Sequence, residues 1–435
     1  MNILFIVPYT PTPIRTRPYN LLRGLTRRGH RVTLATLWQD EEERAALGRL
    51  AEEGIRVVAA YLPRGRALWN CLRGLPTGQP LQAHYCWSPS LARALGFEIR
   101  DSRFDVIHVE HLRGARYGLY LKSLIPNPQS PAPNPQPPIP VIWDSVDCIS
   151  YLFEQAAARS GSLFGRRITR LELGRTRRYE GWLVGQFDRV LVTSEVDKAA
   201  LEELANRQSL IPNTRYPISV LPNGVDLAYF CPDDTARDPA TVVFTGKMSY
   251  HANVTAALHL VHDIMPLVWQ ERPEVRVIIA GKDPPGEITR LQSPTPDPQS
   301  PTPSPQPPTP TPRIIVTGAV PDLRPYLRRA TVVAAPMVYG AGIQNKVLEA
   351  MACAAPVVAS RRAVAALQAA DGEQLLVADD AEGFARCVLR LLGDPELTRR
   401  LAAAGRRYVE QHHDWDGIVE RLEAIYQTSA CGRAT

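Results

Sequence analysis

Short apolar runs rich in valine and isoleucine alternate with helix-like segments along nearly the whole chain. In the first half these runs span residues 2–9, 31–37, 55–62, 104–110, 140–146 and 187–193. In the second half they span residues 218–226, 241–247, 275–281, 313–319, 331–336 and 355–360. Strands that are apolar along their whole length, each followed by a helix, are typical of a parallel sheet covered on both faces. The pattern therefore predicts an α/β chain with two doubly wound, Rossmann-like sheets.

The restart of the pattern near residue 213 predicts two domains. A chain of 435 residues fits two to three domains at about 100–200 residues each. We expect an N-terminal domain over 1–212, a C-terminal domain over 213–400, and a tail over 401–435 whose helices pack back toward the N-terminal domain. Two such domains are expected to face each other across a cleft, with ligands bound outside the carboxyl ends of the strands. Functional residues are therefore expected at the strand ends.

Two proline-rich segments, residues 126–140 and 293–313, interrupt this pattern. They hold 18 of the 40 prolines, and residues 127–138 match residues 297–308 at nine of twelve positions. Such segments cannot bury enough apolar surface to fold, and they favour polyproline II. Two interpretations stay open: surface insertions, which loop-closure entropy tolerates, or ligands for an SH3-like domain.

Cysteine content and hydropathy indicate the cellular compartment in which the protein is expected. The seven cysteines have no paired close spacing, which favours a reducing cytoplasm and gives no zinc-site pattern. No run reaches the about 20 apolar residues of a spanning helix, and the first strand lacks the basic flank of a signal peptide. The sequence Asp-Trp-Asp at 414–416 follows one helix and starts another, which favours helix capping over a metal site. We therefore expect a cytoplasmic protein.

Basic residues are concentrated in two places. The first 35 residues hold six arginines, including Arg15 and Arg17, and no Asp or Glu. They favour either an anionic substrate or lipid phosphate, or a solvated basic loop. Residues 166–180 hold six arginines and two glutamates, which favours either anionic lipid at the inner face of the plasma membrane or a solvated helix. Neither place carries a nucleic-acid-binding motif, so no nucleic-acid partner is expected.

The most informative strand ends lie in the second half. Gly246 and Lys247 fall where the strand at 241–247 ends, and a lysine there can neutralise a phosphate. Residues 335–360 read as strand, glycine-containing loop, helix and strand. The free amides at the start of that helix favour an anion, and Lys346 in its first turn opposes the helix dipole unless an anion is bound. Glu349, one turn later, can accept hydrogen bonds from hydroxyl groups.

Three segments, residues 221–230, 318–327 and 342–360, together resemble family 4 glycosyltransferases of the GT-B fold. The most specific part is LEAMA with APVV, following NGVD at the family's distance. Residues 13–25 and 177–194, with the sequence WDSVD between them, resemble a bacterial subgroup of sugar transferases associated with exopolysaccharide and exosortase systems. The resemblance implies two Rossmann-like domains and a nucleotide-diphospho-sugar donor held mainly by the second.

The resemblance also implies roles for residues of the second domain. Of the family's two glutamates, Glu349 matches the second, which holds the donor ribose hydroxyls, whereas the first falls at Ala341 and is missing. Lys247 matches the first member of a basic pair on the diphosphate. The second member falls near Asn253 and is absent, and Lys346 is expected to compensate. The remaining donor-binding residues that the resemblance implies are Gly246, Val320, Gly342, Ile343, Gln344 and Asn345.

In the first domain, the family's histidine at the end of the fifth strand falls at Val146. Asp147 beside it, or Asp144, is expected to orient the sugar or the acceptor, although an aspartate at a strand end also fits helix capping. Arg15 and Arg17 are expected on the acceptor side.

The reaction implied by the resemblance is glycosyl transfer with retention of anomeric configuration. Lys247, Lys346 and Asp147 are the catalytic candidates, and no metal ion or other cofactor is expected. The expected partners are a nucleotide-sugar donor and a glycan or lipid-linked acceptor, in surface-polysaccharide biosynthesis. Two alternatives stay open. The missing glutamate and the altered basic pair fit a catalytically degenerate scaffold of a polysaccharide assembly complex, and a GT-B epimerase would release free sugar or epimer without an acceptor.

Overall fold

Two groups of secondary-structure elements account for the described chain. A computed structural model describes residues 1–125, 139–157, 163–208, 216–292, 313–340 and 343–431. The expectations for the two proline-rich segments fall almost wholly outside these residues. The chain divides into two compact units, Met1–Asn223 with Trp415–Thr435, and Gly224–Asp414. None of the described helices combines the length and the apolarity needed to cross a membrane.

The first unit is built on a parallel sheet. Within the described residues its strands are β1 Asn2–Val7, β2 Arg31–Trp38, β3 Arg56–Tyr61, β4 Val106–Glu110, β5 Val141–Val146, β6 Arg189–Val192 and β7 Ile218–Val220. They lie in the order β3-β2-β1-β4-β5-β6-β7 and pair in parallel. Leu4 and Ile6 enter one hydrophobic core, whereas Ile3, Phe5 and Val7 enter another. Successive side chains of a strand point to opposite faces, so both faces of this sheet are covered.

Helices supply the two layers on that sheet. They are α1 Thr16–Arg27, α2 Glu41–Glu52, α3 Arg64–Gly74, α4 Leu81–Tyr85, α5 Pro89–Asp101, α6 His111–Leu124, α7 Ile149–Ala157, α8 Leu163–Val184 and α9 Glu195–Asn206. Short polar side chains begin several of them, as helix propensities require. Asp40, for example, accepts a hydrogen bond from the Glu43 amide at the start of α2.

The second unit repeats this plan. Within the described residues its strands are β8 Thr241–Thr245, β9 Arg276–Ala280, β10 Ile314–Gly318, β11 Val332–Ala335, β12 Val357–Ala359 and β13 Leu376–Val377. They lie in the order β10-β9-β8-β11-β12-β13 and pair in parallel. Its helices are α10 His251–His259, α11 Met265–Glu271, α12 Gly286–Thr289, α13 Arg324–Arg329, α14 Asn345–Ala352, α15 Arg361–Val364, α16 Ala381–Gly393 and α17 Pro395–His412. The predicted α/β class with two parallel sheets is confirmed.

The structure places one strand differently from the sequence analysis. The repeat pattern assigns residues 218–226 to the second domain, whereas β7 pairs with β6 through Val190 and Ile218 and completes the first sheet. Leu221, which follows β7, is buried in the core of the first unit. The first stretch of this unit therefore ends at Asn223 and not at residue 212, and its second stretch begins at Trp415. A short apolar strand carries no mark of the sheet whose edge it joins, so periodicity could not decide this.

The last helix, α18 Trp415–Cys431, belongs to the first unit. Ile418, Val419 and Leu422 are buried in the same core as α1. Gly24 on α1 permits this approach, because a Cβ there would lie 2.5 Å from the Val419 side chain. By contrast, Leu401 of α17 lies in the core of the second unit, which continues to Asp414 and not to residue 400.

Three strands of the second sheet end in glycines whose backbones touch. The Gly246 amide donates to the Ala280 carbonyl at 3.1 Å, and the Gly281 amide donates to the Gly318 carbonyl at 3.2 Å. A Cβ on Gly281 would lie 1.8 Å from the Gly246 carbonyl oxygen. Glycine is therefore the residue that admits this approach. These contacts set the ends of β8, β9 and β10 relative to one another, beside the residues that the sequence analysis singled out.

We expect Gly281→Ala to lower the stability of the second unit by about 1–3 kcal/mol or more, because the new methyl group forces the strand ends apart. Thermal unfolding followed by circular dichroism measures the change. Gly393→Ala is the matched control, because a Cβ at Gly393 meets no atom within 4 Å. Equal melting temperatures of the two variants would show that the strand ends move freely.

Candidate functional site

Lys346 is the centre of the site in the second unit. It lies in the first turn of α14 and is only 7% exposed. Its Nζ atom donates to Asn253 Oδ1 at 2.6 Å and lies 4.3 Å from the centre of the Phe244 ring. The Asn253 side-chain amide in turn donates to the Lys247 carbonyl at 2.9 Å. The structure thus brings the ammonium group of α14 to the end of β8.

The charges of this site are poorly compensated. Burial lowers the pKa of Lys346 to about 7, and Glu349 raises it only in part. Burial also raises the pKa of Glu349 to about 7, opposed by Lys346. Among the described residues no carboxylate lies within ion-pair distance of the Lys346 ammonium. An arriving anion would therefore stabilise the charged form of this lysine. Perturbed groups of this kind cluster at functional sites.

The other predicted donor residues follow β8 and β10 or lie at or just before the start of α14. Lys247 is exposed directly after β8, and Val320 is half-buried two residues after β10. Ile343 is buried, and Gln344 takes the extended conformation before α14 begins at Asn345. Gly342, like Ala341, lies outside the described residues. The roles assigned to these residues, and to Gly246, stay predictions.

Tyr339 and His251 are residues of this region that the sequence analysis missed. Their rings stack with centroids 5.2 Å apart, and the tyrosine hydroxyl bonds to His251 Nδ1. The same hydroxyl lies 3.3 Å from Thr255 Oγ1. These contacts tie the loop after β11 to the start of α10. The only signal in the sequence is an aromatic residue beside the glycines at 340 and 342, which by itself names no partner.

In the first unit, Arg17 and Asp144 form one buried ion pair. Arg17 Nε and Nη2 lie 2.9 Å and 2.8 Å from Asp144 Oδ2. Arg17 Nη1 donates to the Leu221 carbonyl and to Asn223 Oδ1, both at 3.0 Å. These contacts occupy the guanidinium with the protein's own groups. Both side chains are buried, so the geometry favours a structural role of the pair over the predicted contact with the acceptor.

A histidine and a tyrosine extend this ion pair. His108 Nε2 lies 3.5 Å from Asp144 Oδ2, and the Tyr426 hydroxyl of α18 bonds to His108 Nδ1 at 2.9 Å. Burial lowers the pKa of His108, against the effect of Asp144. Burial works against the charged form of Asp144, but Arg17 and His108 outweigh it and hold the pKa of this carboxyl below its ordinary value. We call these four residues and the chain at 221–223 the Arg17 cluster.

Asp147 lies just beyond β5 and is half-buried. Its Oδ1 accepts from Thr193 Oγ1 at 3.1 Å. Burial, together with the neighbouring Asp197, raises the pKa of Asp147 to about 7. The first amides of α7 bond to other carboxylates: the Cys148 amide to Asp197 and the Ile149 amide to Glu180. The alternative role of helix capping therefore belongs to those two residues.

Arg15 remains partly exposed before α1. Its guanidinium donates to the Thr10 carbonyl at 2.8 Å and to Glu43 Oε1 at 3.0 Å, and it lies over the Tyr9 ring. Its acceptor-side role stays a prediction. Among the described residues no three His, Cys, Asp or Glu side chains are placed to hold a metal ion.

Glu110, at the end of β4, is a further residue that the sequence analysis missed. It is buried, and its Oε1 accepts from the Tyr9 hydroxyl at 2.9 Å. Its Oε2 has no hydrogen-bond partner in the described part of the chain. Burial, with a contribution from Asp144, raises the pKa of Glu110 to about 8. A buried carboxyl with an unsatisfied oxygen at a strand end marks a candidate binding residue.

His111 follows Glu110 with a φ of +64°. Few residues other than glycine adopt that conformation, and such strain is often kept at functional sites. Burial lowers the pKa of His111 to about 3, so the ring is neutral at physiological pH. The sequence FDVIHVEH predicts the strand, but neither the backbone conformation nor the depth of these side chains is visible in it.

We expect Arg17→Met to lower stability by about 3–5 kcal/mol, because it leaves the Asp144 charge buried without its cation. Chemical unfolding of the purified variant measures this loss. The control Arg23→Ala removes the partly exposed pair with Glu53 and is expected to lower stability by about 1 kcal/mol or less. The double variant Arg17→Met/Asp144→Leu should recover much of the loss. If Arg17→Met is as stable as the control, the cluster does not hold this unit together.

We expect Glu110→Gln to stabilise the protein above neutral pH. The folded carboxyl keeps its proton up to pH about 8, whereas the unfolded one loses it near its ordinary value of 4.5. The contribution of Glu110 to the free energy of unfolding therefore falls as the pH rises from 4.5 to about 8. The variant should gain about 2 kcal/mol or more at pH 8 and little at pH 4.5, as read from thermal melts. The exposed control Glu52→Gln should show no such gain, and a loss at both pH values would mean a purely structural hydrogen bond.

Two families match successive parts of the chain. Residues 14–224 match the family described as "Glycosyl transferase 4-like domain", and residues 239–394 match "Glycosyl transferases group 1". The D-inositol 3-phosphate glycosyltransferase of Acidothermus cellulolyticus is 27% identical over 231 residues, which cover 50% of this chain and 49% of that protein. The lipopolysaccharide core biosynthesis mannosyltransferase of Rhizobium leguminosarum bv. viciae is 25% identical over 261 residues, which cover 58% and 67%. The chain thus spans about half to two thirds of these curated relatives.

A solved structure shows the same fold over nearly the whole chain. Anabaena HepE, crystallised in complex with UDP-glucose, matches with a TM-score of 0.63 and 15% identity, covering 98% of this chain and 100% of that one. The predicted GT-B fold is confirmed. The two family matches cover successive parts of both units, and together they support a glycosyltransferase family of the GT-B fold for this chain.

Proposed function

We propose that this protein is a retaining glycosyltransferase. It moves a sugar from a nucleotide-diphospho-sugar to a hydroxyl group of a glycan or lipid-linked acceptor, in surface-polysaccharide biosynthesis. The family matches support the reaction type, and the UDP-glucose complex of the structural neighbour supports the class of donor. The lipopolysaccharide mannosyltransferase among the curated relatives supports the acceptor class.

The observation that carries this proposal is the contact between Lys346 and Asn253. The family resemblance places the second phosphate-binding cation near Asn253, where this chain has none. In the structure the Lys346 ammonium lies 2.6 Å from the Asn253 side chain. This contact supports the proposal that Lys346 supplies the missing positive charge from α14. Burial disfavours the charge of a lysine that has no carboxylate partner. A bound diphosphate would offset this cost.

The chemistry required of these residues is modest. The bond between the anomeric carbon and the donor phosphate oxygen breaks, a bond to the acceptor oxygen forms, and the acceptor proton passes to the departing diphosphate. Lys346, Lys247 and the amides at the start of α14 stabilise the negative charge of that leaving group. Glu349 accepts hydrogen bonds from the ribose hydroxyls. No protein nucleophile takes part in this scheme.

The strand ends of the first unit are proposed to receive the acceptor. Glu110 has a carboxyl oxygen without a partner in the described part of the chain, and because its pKa is raised to about 8, the protonated carboxyl can donate a hydrogen bond to a hydroxyl group. His111 is neutral and therefore able to accept or donate a hydrogen bond. These two residues take the acceptor role that the sequence analysis gave to Arg17 and Asp144. Asp147 keeps its predicted role in orienting the sugar or the acceptor.

We expect at least one of UDP, GDP and ADP to raise the melting temperature of the purified protein. A ligand at 100 times its dissociation constant stabilises by about 2.7 kcal/mol, which thermal-shift measurements detect. Lys346→Met should weaken binding of the effective diphosphate by about 10- to 100-fold, the worth of a hydrogen bond to a charged group. Glu349→Gln should weaken binding of the diphosphate and of the parent nucleoside alike, since it acts on the ribose.

The matched control is Lys198→Met on α9, a partly exposed lysine paired with Glu195, which should leave binding unchanged. If no nucleotide shifts the melting temperature of the folded protein, the proposal fails and the degenerate scaffold becomes the better account. If a nucleotide-sugar is bound but converted to free sugar or an epimer without acceptor, the epimerase is the better account.

The same lysine predicts a pH dependence of binding. The free protein loses the Lys346 charge as the pH rises through about 7, whereas a bound diphosphate holds the proton on the ammonium group. Binding above neutral pH therefore takes up a proton, and affinity should fall by up to about tenfold per pH unit between about pH 7.5 and 9. Calorimetry in buffers of different ionisation enthalpy measures the uptake. Lys346→Met should bind weakly and without this slope, and a flat wild-type profile would contradict the assignment.

A further inference from the structure

Helix α3 turns its large apolar residues toward solvent. Its buried positions are Ala67, Asn70 and Gly74. Its outward positions are Leu68, Trp69, Leu72 and, just after the helix, Leu75, which are 63%, 53%, 51% and 46% exposed. We call these four residues the α3 face. A surface helix normally buries such residues and exposes the small and polar ones, so this orientation requires an explanation.

Specific contacts hold the helix in this orientation. The Asn70 side-chain amide donates to the carbonyls of Tyr85 at 3.3 Å and Trp87 at 2.8 Å. A Cβ on Gly74 would lie 2.5 Å from the His84 ring, so α4 packs against a surface that only a small residue allows. These contacts therefore fix which side of α3 faces the protein interior. Rotating the helix to bury the α3 face would break them.

Exposed apolar residues form a stripe on α3, and the helix beside it carries a further exposed leucine. Leu68, Leu72 and Leu75 are spaced by four and three residues, which places them in one stripe. Arg175 of α8 donates to the Leu75 carbonyl at 2.9 Å, so α8 borders this stripe. Leu171, one helical turn before Arg175, is itself 57% exposed. An exposed apolar stripe of this kind marks an interaction site.

Arginines are the exposed charged residues of α3, and the carboxylate of Glu172 on the bordering helix is paired with Arg175 at 3.2 Å. Residues 54–97 contain five arginines and no aspartate or glutamate. Arg64, Arg66 and Arg73 on α3 are exposed, as is Arg170 on the bordering helix. An apolar face with a tryptophan and a rim of arginines fits the boundary between anionic headgroups and acyl chains. A protein partner would have to match it with a carboxylate-only rim around an apolar centre, whereas an anionic bilayer provides both features at once.

We propose that the α3 face is a membrane-docking surface for anionic lipid. Trp69 and the three leucines enter the boundary of the headgroup layer, and Arg64, Arg66 and Arg73 bind lipid phosphates. This inference goes beyond the proposed transferase function, because lipid binding of this kind requires neither a donor nor an acceptor. It also places the membrane contact on α3, beside the helix whose basic residues the sequence pattern suggested, of which Arg175 bonds to the Leu75 carbonyl.

Co-sedimentation of the full chain with vesicles tests the proposal. We expect wild-type protein to bind vesicles of phosphatidylcholine with about one third phosphatidylglycerol, and to bind less as salt screens the arginines. Trp69→Gln/Leu72→Gln should lower the partition coefficient by about tenfold or more, because it removes most of the apolar insertion. Arg64→Gln/Arg66→Gln/Arg73→Gln should abolish the preference over pure phosphatidylcholine. The control Ile14→Gln, at a residue 67% exposed elsewhere in the first unit, should bind like wild type.

Tryptophan fluorescence gives an independent reading. Wild type should show a blue shift with the anionic vesicles that is reduced in Trp69→Phe, although that variant still binds. Nucleotide-induced thermal shifts of the double variant should equal those of wild type, which separates loss of docking from loss of the donor site or of the fold. Failure of wild type to bind the vesicles, or equal binding by the double variant, overturns the proposal. Self-association that the double variant abolishes, without vesicle binding, overturns it in favour of a second copy of the chain.

Discussion

The buried ion pair of Arg17 and Asp144 is the constraint on which the first unit depends. It joins α1 to the end of β5, and the remaining donors of the arginine hold residues 221–223, where the chain leaves this unit. Through His108 it also reaches Tyr426 of the last helix. A buried guanidinium and carboxylate are tolerated only when their hydrogen bonds are made together. The elements that supply those bonds are therefore specified jointly, although they come from distant parts of the sequence.

In the described part of the second unit, the buried cation lacks a carboxylate partner of the kind that Arg17 has. Lys346 has an asparagine and an aromatic ring beside it, and no carboxylate within ion-pair distance among the described residues. Its charge is therefore available to a ligand, whereas the charge of Arg17 is consumed by the fold. Glu110 resembles Lys346 in being incompletely compensated. One of its carboxyl oxygens is hydrogen-bonded, and the other has no partner in the described part of the chain. Ion-paired buried charges organise this protein, and buried ionisable groups without a counter-charge in the described residues mark its candidate sites.

Much of this could be predicted from the sequence, and the limits have physical causes. Apolar runs buried on both faces give a strong periodic signal, so both sheets were predictable. The resemblance placed Lys346 and Glu349 on the helix where the structure has them. The partnership of Lys346 with Asn253, 93 residues away, was predicted only as a compensation, without its geometry. Glu110 and His111 were read as strand residues, because burial and a positive φ are properties of the folded backbone and leave no trace in composition.

The sequence by itself determined the α/β class, the two parallel sheets and the helix that carries the predicted donor residues, because these follow from local periodicity and short motifs. Only the tertiary structure decided that β7 closes the first sheet, that α18 returns to it, and that Arg17 is consumed by a buried ion pair. It also decided which side of α3 faces outward, since Ala67, Asn70 and Gly74 are buried by their neighbours and not by their own hydrophobicity. Contacts between residues far apart in the chain set burial and charge compensation, and these two quantities distinguish a structural residue from a functional one.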